Sequence, residues 1–360
     1  MKPTAELHAQ GQSLWLDNIT RSMLDGGQIE RYIDTHAVTG LTSNPSIFDS
    51  AIESGDYDDA ISATSQRGLS SEEIFFDLAI ADLQRAADLF APVHEDTDGV
   101  DGWVSLEVSP LLAYDTAKTV AAATSLSAKA QRANLFVKIP GTPQGLPAIE
   151  ECIASGVPVN VTLLFDADQY RAAADAYLRG IERRVDSGLG AVVGCVASVF
   201  ISRWDVAVAE SVPEELKNQL GLAVGRETYR AYRDVMESER FQRLANSGAR
   251  VQRLLWASTK TKDPTAPDTL YVAGLAAPFT INTMPDSTLD AFFDHGTVGE
   301  PLARDGADCD VLLERFAVAG IDKKALAQKL QDDGAKSFTN SWSKLLARID
   351  AQLSAPHETR

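Results

Sequence analysis

The stretch NLFVKIPGTPQG, residues 134–145, sets a lysine inside an apolar run. Leu135, Phe136, Val137 and Ile139 surround Lys138, and Pro and Gly follow. A short run of apolar, β-branched and aromatic residues that ends at Pro and Gly reads as a buried strand. A buried ammonium is costly unless it is paired or loses its proton. The lysine therefore needs a reason to be there.

Working outward, the same short apolar strand recurs. The candidates are SLWLD (13–17), VTGLTSN (38–44), GWVSLEV (102–108), NLFVKIP (134–140), VPVNVTLLF (157–165), AVVGCVASVF (191–200), VQRLLWAS (251–258) and LAAPFTIN (275–282). Helical stretches lie between them. Ser70 and Glu73 fit a capping box ahead of Ile74, Leu78 and Ala81 at helical spacing. Residues 173–185 and 214–236 read as helices, and Phe338, Trp342, Leu345 and Ile349 mark the last one. Strands alternating with helices predict an α/β fold, a (β/α)8 TIM barrel with additional helices at about 45–101 and 301–360. No repeat, low-complexity tract or Gly/Ser linker interrupts the 360 residues, so a single domain over 1–360 is expected.

The hydrophobic fraction, 44%, suffices for a large core, and no apolar run is long enough for a transmembrane helix. The first residues, MKPTAELHAQGQSLWLDN, lack the apolar centre of a signal peptide. Cys152, Cys195 and Cys309 are far apart and odd in number, which suggests reduced thiols and a cytoplasmic protein. A formal net charge of −18 argues against a nucleic-acid partner, and nothing points to a membrane. It also repels anions at long range, so an anionic ligand would need a local basic cluster.

Side chains alternate across a strand. Trp103, Ser105 and Glu107 then share one face; Lys138 faces opposite to Val137 and Ile139. Asn160 and Thr162 share a face set against Val159, Val161 and Leu163. Asp17 closes the first strand, Thr42 and Asn44 pair in the second, Ser198 and Phe200 in the sixth, Ser258 and Lys260 in the seventh. Taken singly, a strand-end lysine is usually a snorkelling surface residue, and Asn or Thr near a strand end is usually a turn former. Together, these residues fall late in seven strands, on the face that a barrel turns inward, at the mouth where barrel enzymes place their chemistry.

A neutral lysine there is a nucleophile toward a carbonyl and forms a Schiff base. Burial beside Phe136 and its inward neighbours favours the uncharged form. Carboxylates at Asp17 and Glu107 could move the protons of imine formation and C–C cleavage. The five histidines (His8, His36, His94, His295, His357) are scattered, with neither HxH nor HExxH, so no metal and no cofactor is expected. GLGAVVG (188–194) precedes a strand instead of following one, and no P-loop or GxSxG elbow occurs. Arg203, Ser258 and Lys260 follow strands six and seven, a place where barrels often bind phosphate.

The motifs GLTSNPSIF (40–48), VSLEVSP (104–110), VKIPGTPQG (137–145), NVTLLF (160–165), ASVFISRWD (197–205) and WASTKTKDP (256–264) carry a resemblance to the transaldolase family, in family order and over most of the chain. The length resembles that of its longer bacterial branch. The resemblance implies a transferase of the non-oxidative pentose phosphate pathway. It would pass a dihydroxyacetone unit from sedoheptulose 7-phosphate or fructose 6-phosphate to glyceraldehyde 3-phosphate or erythrose 4-phosphate. Lys138 matches the Schiff-base lysine, Glu107 the acid/base acting through a water, and Asp17 the carboxylate that takes the C4 hydroxyl proton. Thr162 matches the threonine near that water. Asn44 and Asn160 match asparagines that hold sugar hydroxyls, with Thr42 beside the first; Ser198 matches the serine on the C1 hydroxyl. Arg203, Ser258 and Lys260 match the phosphate site. Many relatives carry arginine at the position of Lys260, and SVFISR departs from the family's SPFVGR-like form. The nearest alternative is fructose-6-phosphate aldolase, in which a tyrosine stands at the position of Phe200 and a glutamine at that of Glu107. A barrel without catalysis that serves only for binding is the other. Monomer and homodimer both remain open, and burial against the barrel is expected for Phe338 and Trp342.

Overall fold

The computed structural model describes residues 1–64 and 67–354. Eight parallel strands pair in sequence order and close into a barrel. They are β1 Ser13–Leu16, β2 Val38–Thr42, β3 Trp103–Glu107, β4 Leu135–Pro140, β5 Val159–Leu164, β6 Cys195–Phe200, β7 Arg253–Ala257 and β8 Ile281–Met284. Each strand is buried along its whole length, because helices cover the outside and side chains fill the inside. Among the described residues, no helix is long and apolar enough to cross a membrane.

The buried residues divide as a barrel requires. Leu14, Leu16, Val137, Ile139, Leu254 and Trp256 face the surrounding helices. Trp15, Trp103, Phe136, Val196, Leu255 and Ile281 pack inside the barrel. Gly40 of β2 makes room for this interior. A Cβ there would lie 2.6 Å from the Trp15 indole and 2.8 Å from the Trp103 carbonyl.

The capping box at Ser70 and Glu73 opens the long helix Ser71–Asp96. Residues 173–185 lie within the helix Ala167–Asp186. The expected helix over 214–236 is broken: Glu214–Leu216 is a single 3-10 turn, and the α-helix runs from Leu220 to Glu237. Asn218, at φ +60, turns the chain between them.

Strands six and eight begin later than their apolar runs. Residues 191–194 stay irregular, and position 194 calls for glycine, where a Cβ would press on Trp103 at 2.8 Å. The eighth strand starts at Ile281, not at Leu275, because Pro278 has no N–H to donate to a ladder. Leu275, Ala276 and Ala277 are buried as loop residues instead.

The alternation also fails at two points. The β5–β6 register shifts between Val161 and Leu164, and Leu163 takes a left-handed φ of +60. Leu163 therefore joins the inner cluster while Leu164 faces out. Ser258 has the outward parity of Leu254 and Trp256, yet it follows the end of β7 at φ +54 and turns to the mouth.

The C-terminal helix Lys323–Ser354 crosses the mouth side of the barrel. Trp342 is buried against Phe75 and Phe76, with ring centroids at 4.9 and 5.6 Å. Arg348 pairs with Asp49 at 2.7 Å and Glu53 at 2.9 Å.

Filling the space that Gly40 leaves for Trp15 should strain the barrel interior. Gly40→Ala is expected to cost about 1–3 kcal/mol of stability, read as a lower denaturation midpoint with the slope unchanged.

Candidate active site

Strand register creates the centre of the site. Glu107 is the partner of Lys138 across β3 and β4, and Lys138 is the partner of Asn160 across β4 and β5. Three polar side chains thus stand in one row on the inner face. Lys138 Nζ lies 3.3 Å from Glu107 Oε2 and donates to the Ser43 carbonyl at 3.2 Å. Both side chains are buried, 6% and 3% exposed. At an effective dielectric of about 20, charges this far apart attract by roughly 5 kcal/mol. Desolvation costs several kcal/mol per ion, so the two effects nearly cancel and the pair adds little to stability.

Both carboxyls near the lysine are pushed toward protonation. Glu107 is raised above its ordinary value by burial, with Lys138 opposing and Asp17 adding to the rise. Asp17 is likewise raised by burial, against the pull of Lys138 and of the Thr42 hydroxyl. That hydroxyl donates to Asp17 Oδ1 at 2.8 Å and lies 2.7 Å from Thr283 Oγ1. The Thr162 hydroxyl and both Glu107 oxygens are buried without an aligned hydrogen-bond partner.

A cavity of about 200 Å³ opens above this row. Asp17, Thr42, Asn44, Lys138, Thr162, Ser198, Phe200, Arg203, Ser258 and Lys260 all line it. Of the residues that the sequence singled out, only Glu107 and Asn160 do not. Glu107 pairs with Lys138 from behind. The Asn160 amide is held at both ends, donating to Ser105 Oγ at 3.1 Å and accepting from Ser198 Oγ at 2.7 Å. Asn44 is divided: its Oδ1 accepts the Ser46 and Ile47 N–H groups at 3.0 and 3.2 Å and caps the helix Pro45–Glu53.

One wall is cationic. Arg203 lies over the Phe200 ring, 5.0 Å from its centroid. Lys260 reaches only the Ser287 hydroxyl at 3.4 Å. Lys262 joins them, its pKa lowered by burial and by Lys260 and Arg203. Among the described residues, no carboxylate forms an ion pair with any of the three, in a protein of net charge −18. Lys262 follows Lys260 at a spacing of two, the one signal in the sequence that points to it. Thr283 lies beyond the apolar run 275–282 and enters the site because β8 runs from Ile281 to Met284.

Phe338 is both buried and over the mouth: its ring centroid is 5.8 Å from Lys138 Nζ. Two turns earlier in the same helix, Gln331 is a buried clamp. Its Nε2 donates to the carbonyls of Gly141 at 3.1 Å and Leu163 at 2.9 Å. These carbonyls belong to the chain just past Lys138 and Thr162, so the C-terminal helix holds the ends of β4 and β5. No local pattern in the sequence marks that contact. Among the described residues, no group of three or more His, Cys, Asp or Glu could hold a metal ion.

A parallel eight-stranded barrel with a mouth lysine, two carboxyls and a cationic wall has the make-up of an aldolase-type barrel enzyme. Residues 14–349 match the transaldolase/fructose-6-phosphate aldolase family, and the chain belongs to it. The chain is 42% identical to a transaldolase of Acidothermus cellulolyticus over 367 residues, covering 99% of each. It is 44% identical to a transaldolase of Thermobifida fusca over 363 residues, covering 98% of this chain and 99% of the relative. It is 42% identical to one of Mycobacterium tuberculosis over 360 residues, 97% and 96% of the two. These likenesses support a transferase with the activity of a transaldolase, acting in carbohydrate metabolism.

Removing the Gln331 amide should orphan two buried carbonyls. Gln331→Leu is expected to destabilise the protein by about 1–3 kcal/mol for each, measured by thermal unfolding, with the far-ultraviolet dichroism of the folded state retained.

Proposed function

We propose that Lys138 carries a three-carbon ketose fragment as a Schiff base and passes it between two sugar phosphates. The observation that carries this reading is the buried lysine amine 3.3 Å from a carboxyl whose affinity for protons is raised. Proton transfer from Lys138 to Glu107 leaves a neutral amine to attack C2 of the ketose. Glu107, now protonated, returns the proton to the departing C2 hydroxyl, and water leaves as the imine forms. Asp17, across the cavity, takes the C4 hydroxyl proton. The C3–C4 bond breaks, its electron pair moves to the imine as an enamine, and an aldose phosphate departs. The second aldehyde adds to the enamine by the reverse path. Arg203, Lys260 and Lys262 would bind the phosphate, with the Ser258 hydroxyl beside them. Thr42, Asn44, Thr162 and Ser198 offer hydrogen bonds along the sugar, and Asn160 would act by orienting Ser198.

The family's other named activity would release the three-carbon ketone to water. Glu107 and Phe200 stand where the resemblance implies glutamine and tyrosine in that enzyme, which favours transfer to an aldose phosphate. The reading has the enzyme in the cytoplasm, as a monomer or homodimer, with three buried free thiols in keeping.

Borohydride reduction in the presence of fructose 6-phosphate should add a reduced three-carbon unit to the peptide that holds Lys138. Intact-mass and peptide spectra check this, and an unmodified protein under excess sugar would remove the mechanism. Lys138→Arg should abolish both adduct and turnover, since a guanidinium stays charged. Product release from fructose 6-phosphate alone, as fast as with an acceptor, would favour the aldolase instead.

The carboxyls also set a pH dependence. Asp17 acts ionised and its pKa is raised, so activity is present above that pKa and lost as pH falls through it. The acid limb of kcat/KM should lie above the ordinary aspartate value of about 3.9. Asp17→Asn should lower kcat by roughly 10²–10⁴.

A further inference from the structure

The barrel has a second concavity, at the opposite end from the lysine site. It opens among the N-terminal ends of the strands, where Ser13, Trp103, Cys195 and Arg253 begin β1, β3, β6 and β7. Its volume is about 500 Å³, within the range of about 300–1,000 Å³ of small-molecule sites. Barrel interiors are normally filled by layers of side chains. Here a Cβ at Gly194 would meet Trp103 and Phe136 at 2.8 and 3.0 Å, so the edges of these buried rings form the floor of the cavity.

The lining selects a kind of ligand. Its inner wall is aromatic: Trp103 and Phe136 stack with centroids 4.0 Å apart and planes 17° apart. Val196 and Val251 add aliphatic surface, and Val100 and Phe279 stand at the lip, 50% and 59% exposed. Phe279 is held there at a φ of +62.

The guanidinium and carboxylate groups that line the cavity are paired: Arg253 lies 3.7 Å from Asp101, and Arg250 faces Asp98; His8 stands exposed at the rim. Arg253 donates to the Val100 carbonyl at 3.0 Å, to Ser13 Oγ at 2.6 Å and to the Thr280 carbonyl at 3.1 Å. Asp101 accepts from the Trp15 indole at 2.8 Å and from the Ser13 hydroxyl. Arg250 is bound to Asp98 at 2.9 Å. A charged ligand would find no free counter-charge among these groups and would lose its hydration. An apolar cavity offers water few partners and takes apolar molecules, benzene among them. A planar neutral ring can lie against Phe279, the exposed aromatic side chain of the lip.

We propose that this cavity is a binding site for one neutral, planar aromatic molecule, separate from the sugar-phosphate site. Phe136 is the wall between the two ends: its ring faces the cavity, and two residues on along the same face stands Lys138. The paired charges favour a neutral ring over an aromatic acid.

The test uses indole as the probe with the full-length enzyme. Titration followed by calorimetry and ligand-observed NMR should give saturable one-to-one binding that fructose 6-phosphate does not displace. Val251→Phe and, separately, Val100→Trp should each weaken indole at least tenfold while transfer activity stays unchanged. Benzoate should bind at least tenfold more weakly than indole. Absence of saturable binding up to the solubility of indole would overturn the proposal. Displacement by fructose 6-phosphate would overturn it as well, as would full affinity in both variants. Benzoate binding as tightly as indole would overturn the assignment to a neutral ligand.

Discussion

The ladder between β3, β4 and β5 is the constraint on which the chemistry of this barrel rests. It sets Glu107, Lys138 and Asn160 side by side on one inner face. A slip of one residue in β4 would turn Lys138 toward the helices and bring a valine or isoleucine to the mouth. The strand is buried on both faces, so such a slip would also put the ammonium in apolar surroundings without its carboxylate. Burial and register thus enforce each other, and the Lys138 amine is positioned by the same bonds that close the barrel.

The energetics of that row suit a reagent more than a structural brace. Attraction between Lys138 and Glu107 is largely spent on their desolvation. What remains is an amine 3.3 Å from a carboxyl whose pKa burial has raised. The cationic wall follows the same logic on a larger scale. An acidic protein repels phosphates over its surface, yet Arg203, Lys260 and Lys262 meet at one edge of the cavity without ion-pair partners among the described residues. The unspent charge is local, where a phosphate would have to sit.

Much of the site is closed by elements distant in sequence. The C-terminal helix brings Phe338 over Lys138 and Gln331 to the carbonyls of Gly141, just past β4, and Leu163, near the end of β5. Ser46 meets Ser341 at 2.9 Å, and Arg348 ties the same helix to Pro45–Glu53, the helix that Asn44 caps. Asn44 therefore works in two directions, fastening the mouth's scaffold with its oxygen and facing the cavity. At the opposite end of the barrel a cavity opens above the buried rings of Trp103 and Phe136.

Local periodicity determined a good deal. Apolar runs punctuated by Pro and Gly located the strands, and alternation put Asp17, Glu107, Lys138, Thr162 and Ser198 on the inner face, because a side chain's face follows from its position in a regular strand. The capping box at Ser70 was legible for the same reason: its partners lie three residues apart. Tertiary structure decided what regular geometry does not govern. Leu163 and Ser258 change sides through left-handed backbone at strand ends. Pro278 delays β8, and with it Thr283. Gln331 and Phe338 reach the site across more than a hundred residues of chain, and Lys262 joins Arg203 only when the loop after β7 meets the helix Ser202–Val208 after β6. A period specifies a face within one element; the meeting of separate elements depends on packing that no local pattern encodes.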